Sequence, residues 1–297
     1  MGRGVVIIRP YAAADADAAV AFFARAAAAD PTLEAVPAAA WGRFVDASFN
    51  RGARDFLCAE SEGVMVGLAT STQSAGFRHF RIMVHPDARR GGTASRMLER
   101  ILAQDEPETP PAKCNCNAAW HAGQAFLAAN GFRAERTTLQ MQRSGPVAAI
   151  DPPAGYRLRP ATESEGDDVA WRRLTEIGYA GGLDYTPLTA RDTDLFRSEP
   201  GFSLTLAERD GAVVGLCHAR VWEGDGEAWI NSVVVAPEHR GRGLGRALTA
   251  AAVGTIAETP DRIVKLHVYA DGHAAVAIYR RLGFETTSTV SAWILGR

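Results

Sequence analysis

The clearest hydrophobic pattern lies toward the C-terminal end. From Ile230 to Val235 a β-branched, apolar run is broken only by Asn231 and Ser232, and it reads as a mostly buried strand. Pro237 ends that strand, because proline brings no N–H to a ladder. The period then changes: Leu244, Leu248, Ala251 and Ala252 fall on one helical face. A second apolar strand, Ile263 to Val268, precedes a helix expected to be capped near Asp271, with Ala275, Ile278, Tyr279 and Leu282 on one face. Gly283 suits the left-handed position past the end of that helix.

The same succession occurs earlier, offset by about 150 residues. Val6-Ile7-Ile8-Arg9-Pro10 answers Tyr156-Arg157-Leu158-Arg159-Pro160, and helical patterns follow from near Asp15 and Thr162. Leu57 to Thr70 answers Leu206 to Ala219. In each, Ser61-Glu62-Gly63 or Arg209-Asp210-Gly211 marks a hairpin turn. Val84 to Ala94 answers Val235 to Gly245, and Phe126 to Phe132 answers Ile278 to Phe284. The pattern predicts two copies of one α/β unit, residues 1–143 and 156–297, joined by a Pro- and Gly-rich linker at 144–155.

Composition narrows the class. A length of 297 residues fits two ordinary domains, and 47% hydrophobic with 22% charged residues is the balance of a soluble globular protein. The net charge of -2 gives no reason to expect a nucleic-acid or membrane partner. No apolar run reaches transmembrane length, and Val5 to Ile8 is too short for a signal-peptide core. Four cysteines in so long a chain do not form a disulfide scaffold. Cys114-Asn115-Cys116, with His121 nearby, lacks a second paired ligand set, so buried thiols and no metal are expected there. These readings point to the cytoplasm.

Candidate chemistry sits between the first strand and its helix, in Arg240-Gly241-Arg242-Gly243-Leu244-Gly245-Arg246. Glycines let the backbone turn tightly, and the free N–H groups of a helix start carry the positive end of its dipole. With the arginines beside them they form a cradle for a pyrophosphate. The dinucleotide fingerprint does not fit, because the glycine spacing differs and a Val-x-Pro-x-x-Arg segment intervenes. A nucleoside-triphosphate loop would need a following Lys-Ser or Lys-Thr, which is absent.

Arg-x-x-Gly-x-Gly after V-V-V-A-P-E-H resembles the acyl-CoA loop of the GNAT (GCN5-related) N-acetyltransferase superfamily. The ending Ala275-x-x-x-Tyr279-x-x-x-Gly283-Phe284 is similar to that superfamily's last conserved segment. The resemblance implies two tandem GNAT folds, each a mixed, centrally splayed β-sheet flanked by helices. It also implies acetyl-CoA as cosubstrate, with no metal. The pantetheine arm would pair along Val233, Val234 and Val235, and the pyrophosphate would rest on the amides of Gly241, Gly243, Leu244 and Gly245. Arg240, Arg242 and Arg246 add positive charge there, and an N–H at Val233 or Val234 would polarise the thioester carbonyl. Tyr279 would protonate the departing sulfur.

The general base is open. Where many members of the superfamily carry a carboxylate, this chain has Asn231 beside Ser232, leaving Glu227, Glu208, His218, Glu223 or a water relay around Asn231 and Ser232. Gly272 replaces a commonly seen asparagine. Asp184 and Tyr185 fall in a Gly-rich loop whose counterpart lines the acceptor pocket in that superfamily.

The copies are unequal. The first keeps Arg89-x-x-Gly92-x-Ala94, but Leu127 stands where the second has Tyr279, and leucine has no proton to give. The first is therefore expected to be a degenerate, ligand-holding or structural copy and the second the catalyst, a two-copy arrangement similar to that of the mycothiol synthases. The expected function is transfer of an acetyl group from acetyl-CoA to a primary amine of a small metabolite by direct attack. A non-catalytic acyl-CoA-binding or sensing protein, or an acetyltransferase for a peptide or protein amine, are the alternatives. The acceptor is expected to be a small-molecule amine, with no nucleic acid or membrane partner, and the protein is expected to be a monomer or homodimer.

Overall fold

A computed structural model describes residues 5–30, 33, 35–45, 56–74, 76–104, 108–183, 185–222 and 227–296. The chain divides into two compact units, one of Met1–Glu135 with Ala292–Arg297 and one of Arg136–Ser291. Each is an α/β unit built on a mixed sheet, and none of the described helices is long and apolar enough to cross a membrane.

In the first unit β1 (Val6–Pro10) leads to α1 (Ala16–Ala29) and α2 (Ala38–Val45). Then come β2 (Phe56–Ser61), β3 (Val64–Ser74), β4 (Phe77–Val84), α3 (Thr93–Leu102), β5 (Ala112–Asn117) and α4 (His121–Ala129). Strands β1 to β4 are neighbours in sequence order and antiparallel, whereas β4 and β5 run parallel and are paired at Arg78–Ala112 and His79–Lys113. The β2–β3 turn follows the residues expected: Glu62 (φ +53°) and Gly63 (φ +78°) both lie in the left-handed region that a tight hairpin requires. Arg9 on β1 grips Asp15 at 2.7 Å and also Glu60 on β2.

β6 (Phe132–Ser144) begins in this unit and continues into the second. There follow β7 (Arg157–Pro160), α5 (Glu165–Tyr179), α6 (Ala190–Ser198), β8 (Phe202–Arg209), β9 (Ala212–Val221) and β10 (Glu227–Val235). α7 (Leu244–Ile256), β11 (Ile263–Tyr269), α8 (His273–Arg281) and β12 (Glu285–Leu295) complete it. The strand order is β7-β8-β9-β10-β11-β6, with β12 beside β6. The ion triad recurs: Arg159 binds Asp167 at 2.6 Å and Glu208 at 2.5 Å. Asp210 (φ +50°) and Gly211 (φ +77°) repeat the hairpin turn.

Boundaries drawn from the repeat, 1–143, 144–155 and 156–297, do not coincide with these units. The last strand of each repeat crosses over. Residues Thr138–Ser144 of β6 pair antiparallel with β11 inside the second unit. Trp293 and Leu295 of β12 pack with Phe80, Leu98 and Phe132 in the first. Sequence similarity marks which segments are copies, but the choice of neighbouring strand is made by tertiary pairing. Nor is 144–155 a free tether, since Val147 and Ile150 pack on the core of the second unit.

Two apolar clusters flank the second sheet. One gathers Leu248, Val253, Leu266, Tyr279 and Phe284 beneath α7 and α8. The other gathers Trp171, Leu174, Leu204, Leu206, Leu216 and Val234 beneath α5.

Candidate active site

The centre of the second unit is the place where two parallel strands part. β10 and β11 pair from Glu227–Ile263 to Ile230–Leu266. The parallel partnership therefore stops at Ile230, and the Asn231–Val235 segment forms the diverging arm. Opposite, the β9 ladder shifts register between Ile230 and Ser232, so Asn231 is an extra, bulged residue. A bulge bends a strand and re-aims its side chains. The regular β3–β4 ladder of the first unit runs without such a shift.

Alternation along β10 determines which backbone groups face the opening. Ala236 N–H donates to Val214 O at 2.9 Å, so Val234 two residues earlier turns its N–H toward β9 as well. Val233 and Val235 turn theirs to the open edge. Of the two amides expected near a thioester carbonyl, that of Val234 is thus committed to the ladder, and only Val233 faces the gap.

Beyond β10 the chain makes a 3-10 turn, Pro237–His239, and Arg240 Nε closes back on Val235 O at 2.8 Å. Gly241 (φ +73°) and Gly243 (φ +89°) are left-handed, and Gly243 is the N-cap of α7. A Cβ on either glycine would meet nothing within 4 Å, so their requirement is backbone conformation and not protein crowding. Arg240, Gly241, Arg242, Gly243 and Arg246 are exposed, Gly245 is half-buried, and Leu244 is buried as the first anchor of the helix. This exposed run of amides and guanidinium groups fits a pyrophosphate, and the arm formed by residues 231–235 fits an extended pantetheine chain.

Tyr279 lies on α8, 8% exposed, in a cluster with Val233 and Val235 of β10 and Val268 of β11. Burial, reinforced by Tyr179 and Cys217, raises its phenol above the ordinary range, so it carries its proton at neutral pH. Its helix starts with Gly272 at the N-cap and no side-chain cap. Asp271, expected to cap it, instead approaches Arg136 at 3.4 Å. Gly283 (φ +81°) takes the left-handed position past the end, as its place in the pattern predicts.

On the α5 side of the sheet lies a cavity of about 560 Å³. Asn231, Ser232, Tyr179, His218, Glu199 and Trp222 are among the residues that line it. Three of these were not singled out in the sequence: Tyr179, Glu199 and Trp222. Glu199 is held by Arg220 at 2.5 Å, and the Arg220 guanidinium stacks 3.7 Å over Trp222. His218 is boxed by Trp171, Phe196 and Phe202, and burial pushes its pKa down to about 4, with Arg220 adding to the shift.

The other base candidates lie elsewhere. Glu208 is taken up by Arg157 and Arg159, and Glu227 pairs with Lys265. Glu223 and Asp184 fall outside the described residues. Tyr185 does not line the cavity; its hydroxyl donates to Glu176 at 2.6 Å. Among the described residues no group of three or more His, Cys, Asp or Glu side chains gathers as a metal site.

The first unit repeats the loop, with Leu127 at the place of Tyr279. Arg89 Nε closes on Val84 O at 3.0 Å, Arg90 (φ +64°) and Gly92 (φ +77°) repeat the two left-handed positions, and Gly92 caps α3. A cavity of about 330 Å³ lies beside them, with Ala94, Cys114, Trp120 and Leu127 in its wall. Cys114 is only partly buried and Cys116 fully so; burial pushes the Cys114 thiol up to about 12.

Comparison with other proteins agrees with this geometry. An acetyltransferase (GNAT) family model matches residues 169–284, and an acetyltransferase (GNAT) domain model matches residues 27–145. The mycothiol acetyltransferase of Mycolicibacterium gilvum is 36% identical over 230 residues, which is 71% of this chain and 72% of that protein. That of Streptomyces griseus is 32% identical over 244 residues, 79% of this chain and 78% of its own. A GCN5-related N-acetyltransferase from Sphaerobacter thermophilus superposes with a TM-score of 0.81 at 22% identity, covering 97% of this chain and 95% of that one. A tandem GNAT protein from the clavulanic acid biosynthesis pathway gives 0.75 at 22% identity and 99% coverage of both chains. At that identity the two structures speak for the fold alone.

Proposed function

The chain belongs to the GNAT acetyltransferase family as a tandem, acyl-CoA-dependent N-acetyltransferase, and from that premise we propose that its second unit moves an acetyl group from acetyl-CoA to a primary amine of a small metabolite. The observation that carries this reading is the opening between β10 and β11, which has the amide cradle of Gly241–Gly245 at the end of its open arm and the buried Tyr279 in the apolar cluster that Val233, Val235 and Val268 join. The amides of Gly241, Gly243, Leu244 and Gly245, with Arg240, Arg242 and Arg246, hold the pyrophosphate, and the open edge at Val233 and Val235 holds the pantetheine arm. Acetyl-CoA supplies an activated thioester, and holding it beside the acceptor removes much of the entropic barrier to attack.

Over one turnover the amine loses one proton and the thiol gains one, so the site needs only to relay a proton. Tyr279 delivers it to sulfur. On the acceptor side the cavity is lined by His218, neutral at pH 7, and by Glu199, Asn231 and Ser232. The acceptor of the mycothiol acetyltransferases is the first candidate, since relatives of that name cover most of the chain.

The test is thiol release from acetyl-CoA by the whole protein against a panel of small primary amines, with a peptide N-terminus included. Turnover on a small amine is expected. Tight acetyl-CoA binding with no turnover on any amine would favour a binding or sensing protein, and preference for the peptide would move the acceptor class.

A further inference from the structure

We propose, on the basis of the acetyl-transfer reading above, that Tyr179 is a catalytic residue whose hydroxyl, together with the Val233 N–H, receives the thioester carbonyl oxygen and the negative charge it develops.

Tyr179 is the last residue of α5, and its place is set by its neighbour. A Cβ on Gly178 would lie 2.7 Å from Val234 Cγ2 and 3.0 Å from its Cγ1, so the helix end rests directly on β10 where only glycine fits. Tyr179 then packs in the cluster that contains Val234, and it lines the acceptor cavity with Asn231 and Ser232. The Val233 backbone N–H meets the phenol, which sets Tyr179 against β10 beyond the point where its pairing with β11 stops. That contact favours the phenolate, yet burial dominates and pushes the pKa up to about 12, so the hydroxyl keeps its hydrogen.

Two donors thus converge where β10 leaves β11. A carbonyl oxygen entering there replaces the phenol oxygen as acceptor for Val233 N–H and accepts from Tyr179 O–H as well. When the amine nitrogen bonds to the carbonyl carbon, the C=O π pair moves onto that oxygen, and both donors strengthen against the charge. On collapse the pair returns, the C–S bond breaks with its electrons on sulfur, and Tyr279 protonates the sulfur. Tyr179 gives up no proton; it serves oxygen while Tyr279 serves sulfur. Counting from the ion-paired Asp15 and Asp167, Ala26 and Ala27 hold the places of Gly178 and Tyr179 in the first unit, which thus lacks both phenols.

Tyr179→Phe in the full chain tests this, with the thioester carbonyl stretch of ¹³C-labelled acetyl-CoA read by infrared difference and kcat read on an amine turned over by the wild type. Bound to the wild type, the carbonyl band is expected to shift to lower frequency than in buffer, and Tyr179→Phe is expected to reverse part of that shift. kcat should fall about 10²–10³-fold, the usual cost of one oxyanion donor, with acetyl-CoA affinity nearly kept. An unchanged carbonyl band in the folded variant would overturn the proposal, even if kcat fell, because the phenol would then serve the acceptor. If the wild type turned over no amine, the acetyl-transfer reading would fail while the carbonyl band still decided the contact.

Discussion

At the residue scale, the proposed chemistry depends on phenols that burial holds protonated. Tyr279 is raised well above an ordinary tyrosine, which makes it a poor donor to an ordinary thiolate of pKa about 8.5. Desolvation acts on both partners, since a thiolate formed away from water is raised as well. Tyr279→Phe keeps the ring against Phe284 and deletes only the hydroxyl. We expect kcat to fall about 10²–10⁴-fold with acetyl-CoA affinity retained, measured by steady-state kinetics and calorimetry. His218 carries a separate consequence. Its folded pKa of about 4 lies below the ordinary histidine value of 6.5, so the unfolded chain binds the extra proton first as pH falls. Stability attributable to its neutral form is present above the unfolded pKa and is lost between the two values, by on the order of 3 kcal/mol in full. The thermal midpoint should drop across that window, and His218→Phe should flatten the drop if the protein remains folded. Tyr279 was legible because it sits in a spaced motif. Tyr179 was not, because an aromatic on an amphipathic helix reads as core until the strand beneath it is seen to part from its neighbour.

At the scale of elements, the strand–turn–helix succession could be read from periodicity. The hairpin turns at Glu62–Gly63 and Asp210–Gly211, the loop at Gly241–Gly243 and the cap at Gly283 all follow from residues that tolerate positive φ. The bulge at Asn231 could not be read that way. It is one residue more on β10 than on β9, and a single strand's sequence does not reveal what opposes it. The same limit hides the point at which β10 stops pairing with β11, at Ile230. The seat of α5 on β10 gives a prediction at this scale. Gly178→Val brings a branched side chain onto Val234, where even a Cβ would lie 2.7 Å from Cγ2, and the helix end must lift. The glycine loop before α7 lies on another segment. We therefore expect kcat to fall by at least about tenfold while acetyl-CoA affinity changes little, as displacement of a positioned catalytic group implies. Loss of affinity with kcat retained would mean that α5 supports the cofactor loop instead.

At the scale of the whole molecule, two copies of one plan differ in a few places that decide chemistry. Both keep the arginine-centred ion triad, the I′-type hairpin and the left-handed loop closed by an arginine on the preceding strand. Only the second has the bulge and the two phenols. The repeat did not reveal the unit boundaries, because β6 and β12 finish in units other than those in which their repeats began. A fragment starting at Gly155 would lack the strand that pairs with β11, so roles must be assigned in the intact chain. Gly92 and Gly243 make this possible. Each is the left-handed cap of its helix, with nothing within 4 Å of a Cβ, so valine at either position strains the loop backbone without striking the core. The most direct measurement is acetyl-CoA turnover by full-length Gly92→Val and Gly243→Val, each checked for folding by circular dichroism. The account predicts that Gly243→Val lowers kcat/KM by about tenfold to a hundredfold, the scale of ~1–3 kcal/mol of strain at the cradle, while Gly92→Val leaves it within about threefold of the wild type. Activity lost in folded Gly92→Val and kept in Gly243→Val would contradict it.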